Sequence, residues 1–236
     1  MKEDNDNSTR RIFLRRSGAI IAAATAVQSF GVVAQGAEEI EKSNEEISPV
    51  EDLMREHGVL SRLLLIYDDI SHRIESSRAF PSEALIGTAR LIQRFVENYH
   101  EKLEENYLFP RFEKTGRLVD LVKVLLDQHQ TGRHLTEEIL RFPSAPLTLE
   151  EQSRLQIYLR AFCRMYRPHK AKEDTVLFPA FHRVVSLKEF DSLGESFEDK
   201  EVELFGEGGF EKIVDEVAGI EKRLGISELS QFTPRI

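Results

Sequence analysis

The sequence predicts an all-α protein, an up-down-up-down four-helix bundle with a C-terminal helical extension. Three observations support this prediction. Charged residues make up 31% of the 236 residues, with only 13 glycines and 8 prolines; apolar residues recur at helical spacing through four long segments; and the breaks between those segments are short. No segment of any length has the alternating pattern of a β-strand.

Residues 1–36 are predicted to be an export signal, and residues 37–48 a solvated linker. A basic stretch precedes a moderately apolar, alanine-rich run that ends in small residues, which is the order found in secretory signals. The run is broken by Gln28, Ser29 and Gly31, so no permanent membrane span is expected.

The pair Arg10-Arg11, followed by Phe13-Leu14, resembles a twin-arginine signal, which serves proteins that cross the membrane already folded. A general secretory signal is the alternative. Either signal predicts a periplasmic protein. Removal of residues 1–36 takes away five basic and three acidic residues, which changes the net charge from −9 to −11.

The first predicted helix begins at Ser48-Pro49-Val50-Glu51, a capping box with Ser48 as the cap and proline in the first turn, and runs to about residue 73. After the break at Phe80-Pro81, the second helix covers about residues 82–112. A turn around Gly116 then leads to the third.

The third helix is expected over about residues 118–140, and the fourth from the capping box Thr148–Glu151 to about residue 185. The predicted bundle therefore spans residues 49–185. In the extension, residues 186–236, two further helices are expected over about 187–205 and 210–224, separated by a glycine-rich turn.

The composition excludes several classes of protein. One cysteine rules out an intramolecular disulfide and a thiolate zinc cluster. The excess of 41 acidic over 32 basic residues argues against nucleic acid as a partner, because non-specific binding to phosphates needs an excess of lysine and arginine.

An internal repeat with an offset of 69 residues links the second and fourth helices. The sequence YHEKLEENYLFPRF aligns with PHKAKEDTVLFPAF, so that His100 matches His169 and Glu104 matches Glu173. Residues four apart lie on one face of a helix, so each His-x-x-x-Glu pair can present an imidazole and a carboxylate to a common point. The Leu-Phe-Pro segment after each pair is interpreted as core packing and helix ending.

His57 and His129 lie in the middle of the first and third helices, so each of the four helices supplies a histidine at one level of the bundle. Imidazole and carboxylate together suit iron, manganese or zinc. The sequence therefore predicts a dinuclear metal site with four nitrogen ligands and two bridging carboxylates. The candidate ligands are His57, His100, Glu104, His129, His169 and Glu173.

The remaining histidines, His72, His134 and His182, are interpreted as spectators because helical geometry places them away from this point. Tyr166 and the other nearby tyrosines are interpreted as core residues, with hydrogen bonding to the site or redox activity as the alternative. A ferritin-like carboxylate site is the nearest competing interpretation, but its paired motif is Glu-x-x-His.

The order His, His-x-x-x-Glu, His, His-x-x-x-Glu, with Leu-Phe-Pro after each pair, resembles the hemerythrin-like (HHE) cation-binding domain over about residues 49–185. The resemblance implies two non-haem iron ions joined by a bridging oxygen and by Glu104 and Glu173, with the four histidines as terminal ligands; manganese and zinc are less favoured. Oxygen-carrying hemerythrins have a second histidine where this chain has Arg133, and Asp five residues after the fourth-helix histidine where this chain has Glu at four. More open metal positions are therefore expected.

The function expected from the resemblance is binding or sensing of a small diatomic ligand, oxygen or nitric oxide, or the handling of iron in the periplasm. The alternatives are a di-iron enzyme that reduces nitric oxide or peroxide, and an iron-centre repair or iron-donor protein. Sensing needs a signalling partner and turnover needs a redox partner, and the sequence identifies neither.

Overall fold

The computed structural model describes residues 47–144 and 146–234. The predicted export signal, residues 1–36, and residues 37–46 of the predicted linker lie outside this part of the chain. The described residues form helices and no strand, which confirms the all-α prediction. The six helices are α1 (Pro49–Glu75), α2 (residues 82–115), α3 (Val119–Leu140), α4 (residues 149–181), α5 (Leu187–Phe205) and α6 (Gly209–Leu224).

Both predicted capping boxes are present. At the start of α1, the Ser48 hydroxyl accepts a hydrogen bond from the Glu51 N–H at 3.3 Å, and the Glu51 carboxylate accepts one from the Ser48 N–H at 3.0 Å. Thr148 and Glu151 make the same pair of bonds at the start of α4. Each box satisfies N–H groups that the first turn of a helix leaves without partners.

Helices α2 and α4 each widen into a π-helical turn directly after the histidine-glutamate pair, at Glu104–Leu108 and Glu173–Leu177. The Phe109 N–H donates to the Glu104 carbonyl, and the Phe178 N–H donates to the Glu173 carbonyl, five residues back. A second π-helical stretch, Ile92–His100, lies earlier in α2.

The Leu-Phe-Pro segments lie near the C-terminal ends of α2 and α4, but neither helix stops at its proline. α2 continues beyond Pro110 to Thr115, where Gly116 at φ 69° ends it, and α4 continues beyond Pro179 to Phe181. A proline cannot donate a backbone hydrogen bond, and its ring clashes with the carbonyl four residues back. The π-helical turn before each proline changes the hydrogen-bond register and accommodates the ring.

In the bundle, α1 and α3 each pack against both α2 and α4, so that these four helices surround one core. α6 packs against α1 and α2, and α5 packs against α1, α2 and α6. None of the described helices combines the length and apolar character that crossing a membrane requires.

The contact between α6 and the bundle is mainly apolar. Gly87 on α2 allows the close approach: a Cβ there would lie 3.3 Å from Ile220 Cδ1. Arg62 of α1 adds two hydrogen bonds to Glu221, at 2.6 and 2.8 Å. The buried residues of α6 that face this contact are Ile213, Val217, Ile220 and Leu224.

Candidate metal centre

The structure brings all six predicted ligands together in the core of the bundle. α1 and α3 supply one histidine each, and α2 and α4 supply a histidine and a glutamate each. Every one of the six side chains is buried, and the two glutamates are fully buried. The six residues are His57, His100, Glu104, His129, His169 and Glu173.

The first half of the cluster, called here the His57 set, joins α1 and α2. His57 Nε2 lies 3.3 Å from Glu173 Oε2, and His100 Nε2 lies 3.8 Å from Glu104 Oε1. The two imidazole ring centroids are 4.7 Å apart. The nitrogens of His57 and His100 and one oxygen of Glu104 therefore lie within reach of a common point, and Glu173 Oε2 lies beside His57.

The second half, called the His129 set, joins α3 and α4 through the other two carboxylate oxygens. His129 Nε2 lies 3.4 Å from Glu104 Oε2, and His169 Nε2 lies 3.1 Å from Glu173 Oε1. The two Nε2 atoms are 3.2 Å apart. Each glutamate thus offers one oxygen to each set, as a bridging carboxylate would.

In the His57 set, each imidazole makes its second hydrogen bond outward, away from the cluster. The Nδ1–H of His57 donates to Asp174 at 2.7 Å, and that of His100 donates to Glu56 at 2.6 Å. In the neutral tautomer with the proton on Nδ1, each Nε2 has a lone pair that points inward, whereas protonated His57 also carries a hydrogen on Nε2.

In the His129 set, the Nδ1–H of His129 donates to Glu105 at 3.1 Å, and that of His169 donates to the Gln128 amide oxygen at 2.9 Å. His129 and His169 therefore adopt the same tautomer, with the proton on Nδ1. Two Nε2 lone pairs then face one another at 3.2 Å, an arrangement that is repulsive unless a cation or a proton lies between them.

With its histidines neutral and its glutamates ionised, the inner cluster consists of acceptors without donors. Both carboxylate oxygens of Glu104, both of Glu173 and Nε2 of His57 are buried without a hydrogen-bond partner. Buried anionic groups without hydrogen-bond partners destabilise the folded protein unless a cation compensates their charge. Donors bound to one metal ion at about 2.1 Å lie roughly 3.0–3.4 Å from one another, which is the spacing of most of these atoms. The cluster therefore fits metal ions.

The pKa values of the metal-free protein also reflect the cost of burying these charged groups together. Burial lowers the pKa of His57, but hydrogen bonds and charge from Asp174 and Glu173 outweigh it and raise this pKa to about 9. Burial and the nearby Glu173 charge raise the pKa of Glu104 well above its usual value. Burial lowers the pKa of His129 to about 4. Without metal, the cluster thus retains protons on His57 and Glu104.

Four residues that contact the ligands were not identified from the sequence. Glu56 and Gln128 directly precede the lone histidines of α1 and α3, whereas Glu105 and Asp174 directly follow the ligand glutamates. The 69-residue repeat contains the signal for Glu105 and Asp174, which are equivalent in it, while Glu56 and Gln128 share only their position directly before a histidine. Each partner nevertheless comes from a different helix, so only the packing identifies which histidine it holds.

The phenylalanines of the Leu-Phe-Pro segments also contact the centre. Phe178 stacks on His57 with ring centroids 5.5 Å apart, and Phe109 stacks on His129 at 5.6 Å. These equivalent contacts pack one side of each imidazole with apolar atoms and limit the access of water. The segments therefore help to fix the ligands as well as to fill the core.

Arg133, which occupies the position of an additional histidine in oxygen carriers, supports the site from outside. Its Nη2 lies 2.6 Å from Glu101 and 2.5 Å from Glu105, the carboxylate that holds His129. The Tyr166 hydroxyl donates to Glu101 at 2.7 Å. It passes very close to α3, where a Cβ on Gly132 would lie only 1.9 Å from it. The three remaining histidines, His72, His134 and His182, are exposed.

Comparison with known proteins agrees with this arrangement. The model of the hemerythrin HHE cation-binding domain matches residues 48–190. Uncharacterized proteins of Mycobacterium bovis and Mycobacterium tuberculosis are each 48% identical over 190 residues, which cover 80% of this chain and 74% of the relative. No solved structure matches the chain. The chain belongs to the hemerythrin HHE cation-binding domain family.

Proposed function

We propose that this protein is an exported, non-haem di-iron protein that binds a small diatomic ligand, oxygen or nitric oxide. The observation that carries the proposal is the inner cluster of unpartnered acceptors. The His129 set brings two nitrogens and one oxygen from each glutamate together, and the His57 set brings two nitrogens and one Glu104 oxygen together, with Glu173 Oε2 beside His57.

The donor types favour iron. Imidazole combined with carboxylate is typical of non-haem iron sites that keep open positions for an external ligand, and the cluster contains no thiolate. When bound, iron would supply an open coordination position for oxygen, nitric oxide or peroxide. The chain holds the imidazoles in one tautomer through their outward hydrogen bonds and limits the access of water with Phe109 and Phe178.

Reduction of peroxide or nitric oxide is the second candidate. A polar network beside the His129 set favours it: Glu105, which holds His129, and Glu101, which accepts a hydrogen bond from the Tyr166 hydroxyl, both pair with Arg133. Arg133 stays charged, so it would stabilise negative charge on this side of the centre, and the buried Tyr166 is the nearby side chain that could take part in redox chemistry. This activity needs an external electron donor, so catalytic loss of peroxide or nitric oxide only with added reductant would distinguish it from reversible binding.

Metal analysis with absorption spectroscopy tests the proposal. The full-length protein is loaded with iron(II) without oxygen, analysed for metal, and then exposed to oxygen or nitric oxide. We expect two iron ions per chain and new absorption bands from the oxidised or ligand-bound centre. Fewer than about one iron per chain, with an unchanged spectrum, would contradict the di-iron proposal, as would preferential retention of zinc or manganese.

Export to the periplasm is proposed from the Arg10-Arg11 pair and the apolar run that follows it. Metal ligation stabilises a folded bundle, which suits a pathway that carries folded proteins. In a bacterial host, the Arg10→Lys/Arg11→Lys double variant should accumulate in the cytoplasm, while the wild-type chain reaches the periplasm. Normal export of the variant would favour the general secretory signal instead.

A further inference from the structure

The two halves of the centre differ in the groups that hold their histidines. Both histidines of the His57 set donate to carboxylates, Asp174 at 2.7 Å and Glu56 at 2.6 Å. In the His129 set, one histidine donates to a carboxylate at the longer distance of 3.1 Å, and the other donates to the neutral amide of Gln128.

Cations increase this difference. In the His129 set, the carboxylate Glu105 is paired with Arg133 and with Lys102, both at 2.5 Å. These two pairs compensate its negative charge and direct part of its hydrogen-bonding capacity away from His129. The net charge next to the His129 set is therefore less negative than the carboxylate alone would suggest.

No lysine or arginine of the described residues forms an ion pair with Glu56 or Asp174. Arg55 pairs instead with Asp52 at 3.1 Å and acts on Glu56 only as a more distant charge. Lys170, one turn before Asp174 on α4, forms no ion pair with it. Within this part of the chain, neither carboxyl group is therefore neutralised by an ion pair with lysine or arginine.

Comparison of equivalent positions shows which residues make the surroundings of the two sets differ. Gln128 on α3 takes the place of Glu56 on α1, since each directly precedes the histidine of its helix. The two cations next to the His129 set are matched by neutral residues: Ala171 is equivalent to Lys102 in the 69-residue repeat, and Ser61 follows His57 by four residues as Arg133 follows His129. The two sets therefore use the same types of ligand, whereas their surroundings differ.

A carboxylate that accepts the Nδ1–H of a metal-bound imidazole makes Nε2 a stronger donor, and a neutral amide does so less. Resting on the di-metal centre proposed above, we propose that its two positions are unequal. The His57 set binds its ion more tightly and favours the higher oxidation state, whereas the His129 set holds the ion that is released and reduced first. Glu56 and Gln128 are the positioning residues that set this difference.

Stepwise removal of iron tests this inference. Full-length protein loaded with two iron(II) ions is titrated anaerobically with a competing chelator, and the iron that remains bound is measured at each step. We expect two separate phases, with affinities that differ by about 10- to 100-fold, the range typical for changes in such hydrogen-bond partners. A single phase in the wild-type protein would overturn the inference.

Two reciprocal substitutions assign the phases. Glu56→Gln should weaken the tighter ion about tenfold or more and leave the weaker ion nearly unchanged, and Asp174→Asn should act in the same direction. Gln128→Glu should increase the affinity for the weaker ion. The double variant Glu56→Gln/Gln128→Glu should therefore reduce or reverse the difference in affinity between the two ions. Glu216→Gln, on the exposed surface of α6, is the matched control and should move neither phase.

A reductive titration of the oxidised protein gives an independent readout. Two potentials are expected, and Glu56→Gln should raise the lower one, because removal of a negative charge disfavours the higher oxidation state. Equal affinities and equal reduction potentials for the two ions, unchanged by these substitutions, would overturn this inference alone. Failure to bind two ions at all would instead contradict the di-iron proposal.

Discussion

The protein contains two buried regions of opposite composition. The inner cluster of the bundle gathers four imidazoles and two carboxylates and contains acceptors without donors. The contact of α6 with α1 and α2, by contrast, is built mainly from aliphatic side chains such as Ile220 and Val217. We therefore expect the stability of the first region to depend on bound cations, whereas the second is stabilised mainly by apolar burial.

The largest effect is expected from loss of a carboxylate that both halves of the centre share. Glu104→Ala removes one oxygen from each set and should reduce bound iron from two ions per chain to none or nearly none. Metal analysis of the purified variant measures this directly. His72→Ala is the control because His72 is exposed and away from the cluster, and iron loss in that variant instead would contradict the ligand assignment.

Removal of the metal should destabilise the bundle strongly, because ions that bind only the folded state add to its stability. Free metal at a thousandfold excess over Kd contributes about 4 kcal/mol for each ion. Thermal unfolding with and without chelator should therefore differ by about ten degrees or more. A melting temperature that does not respond to the chelator would show that the polar cluster is stable without cations.

Truncation in the α6 contact should act independently of metal. Ile220→Ala leaves a cavity between α6 and α2 and should lower the free energy of unfolding by about 2–5 kcal/mol. Iron content and spectrum should stay unchanged, since Ile220 contacts no ligand. Denaturant unfolding measures the first effect and metal analysis the second. Loss of iron from this variant would mean that the two regions are coupled.

The smallest effect concerns pH. The pKa of His57 is raised to about 9 in the metal-free protein, so below pH 9 this histidine carries a proton that a bound ion must displace. Metal affinity should therefore rise with pH and fall at least tenfold, about 1.4 kcal/mol, for each unit decrease below pH 9. Chelator competition at pH 7 and pH 8, with proton release measured in weak buffer, checks this. An affinity independent of pH would contradict the protonation of His57.

The sequence predicts the positions of the helices well because capping boxes and apolar spacing are local signals. It does not predict the local course of α2 and α4. A π-helical turn precedes Pro110 and another precedes Pro179, and both helices continue past these prolines. A π-helical turn has no simple sequence signature, since it depends on how the neighbouring helices hold the chain on either side.

The sequence by itself determines that six potential ligands face one core. The signals are the His-x-x-x-Glu pair, repeated 69 residues apart, and one histidine on each of the other two helices. This follows from helical periodicity, which acts within a few residues. Tertiary structure alone decides that Glu56 holds His100, that Arg133 neutralises Glu105 rather than facing the centre, and that the two halves therefore differ. Those contacts join residues on different helices, 28–44 positions apart in the chain, and depend on helix rotation and packing that no local pattern encodes.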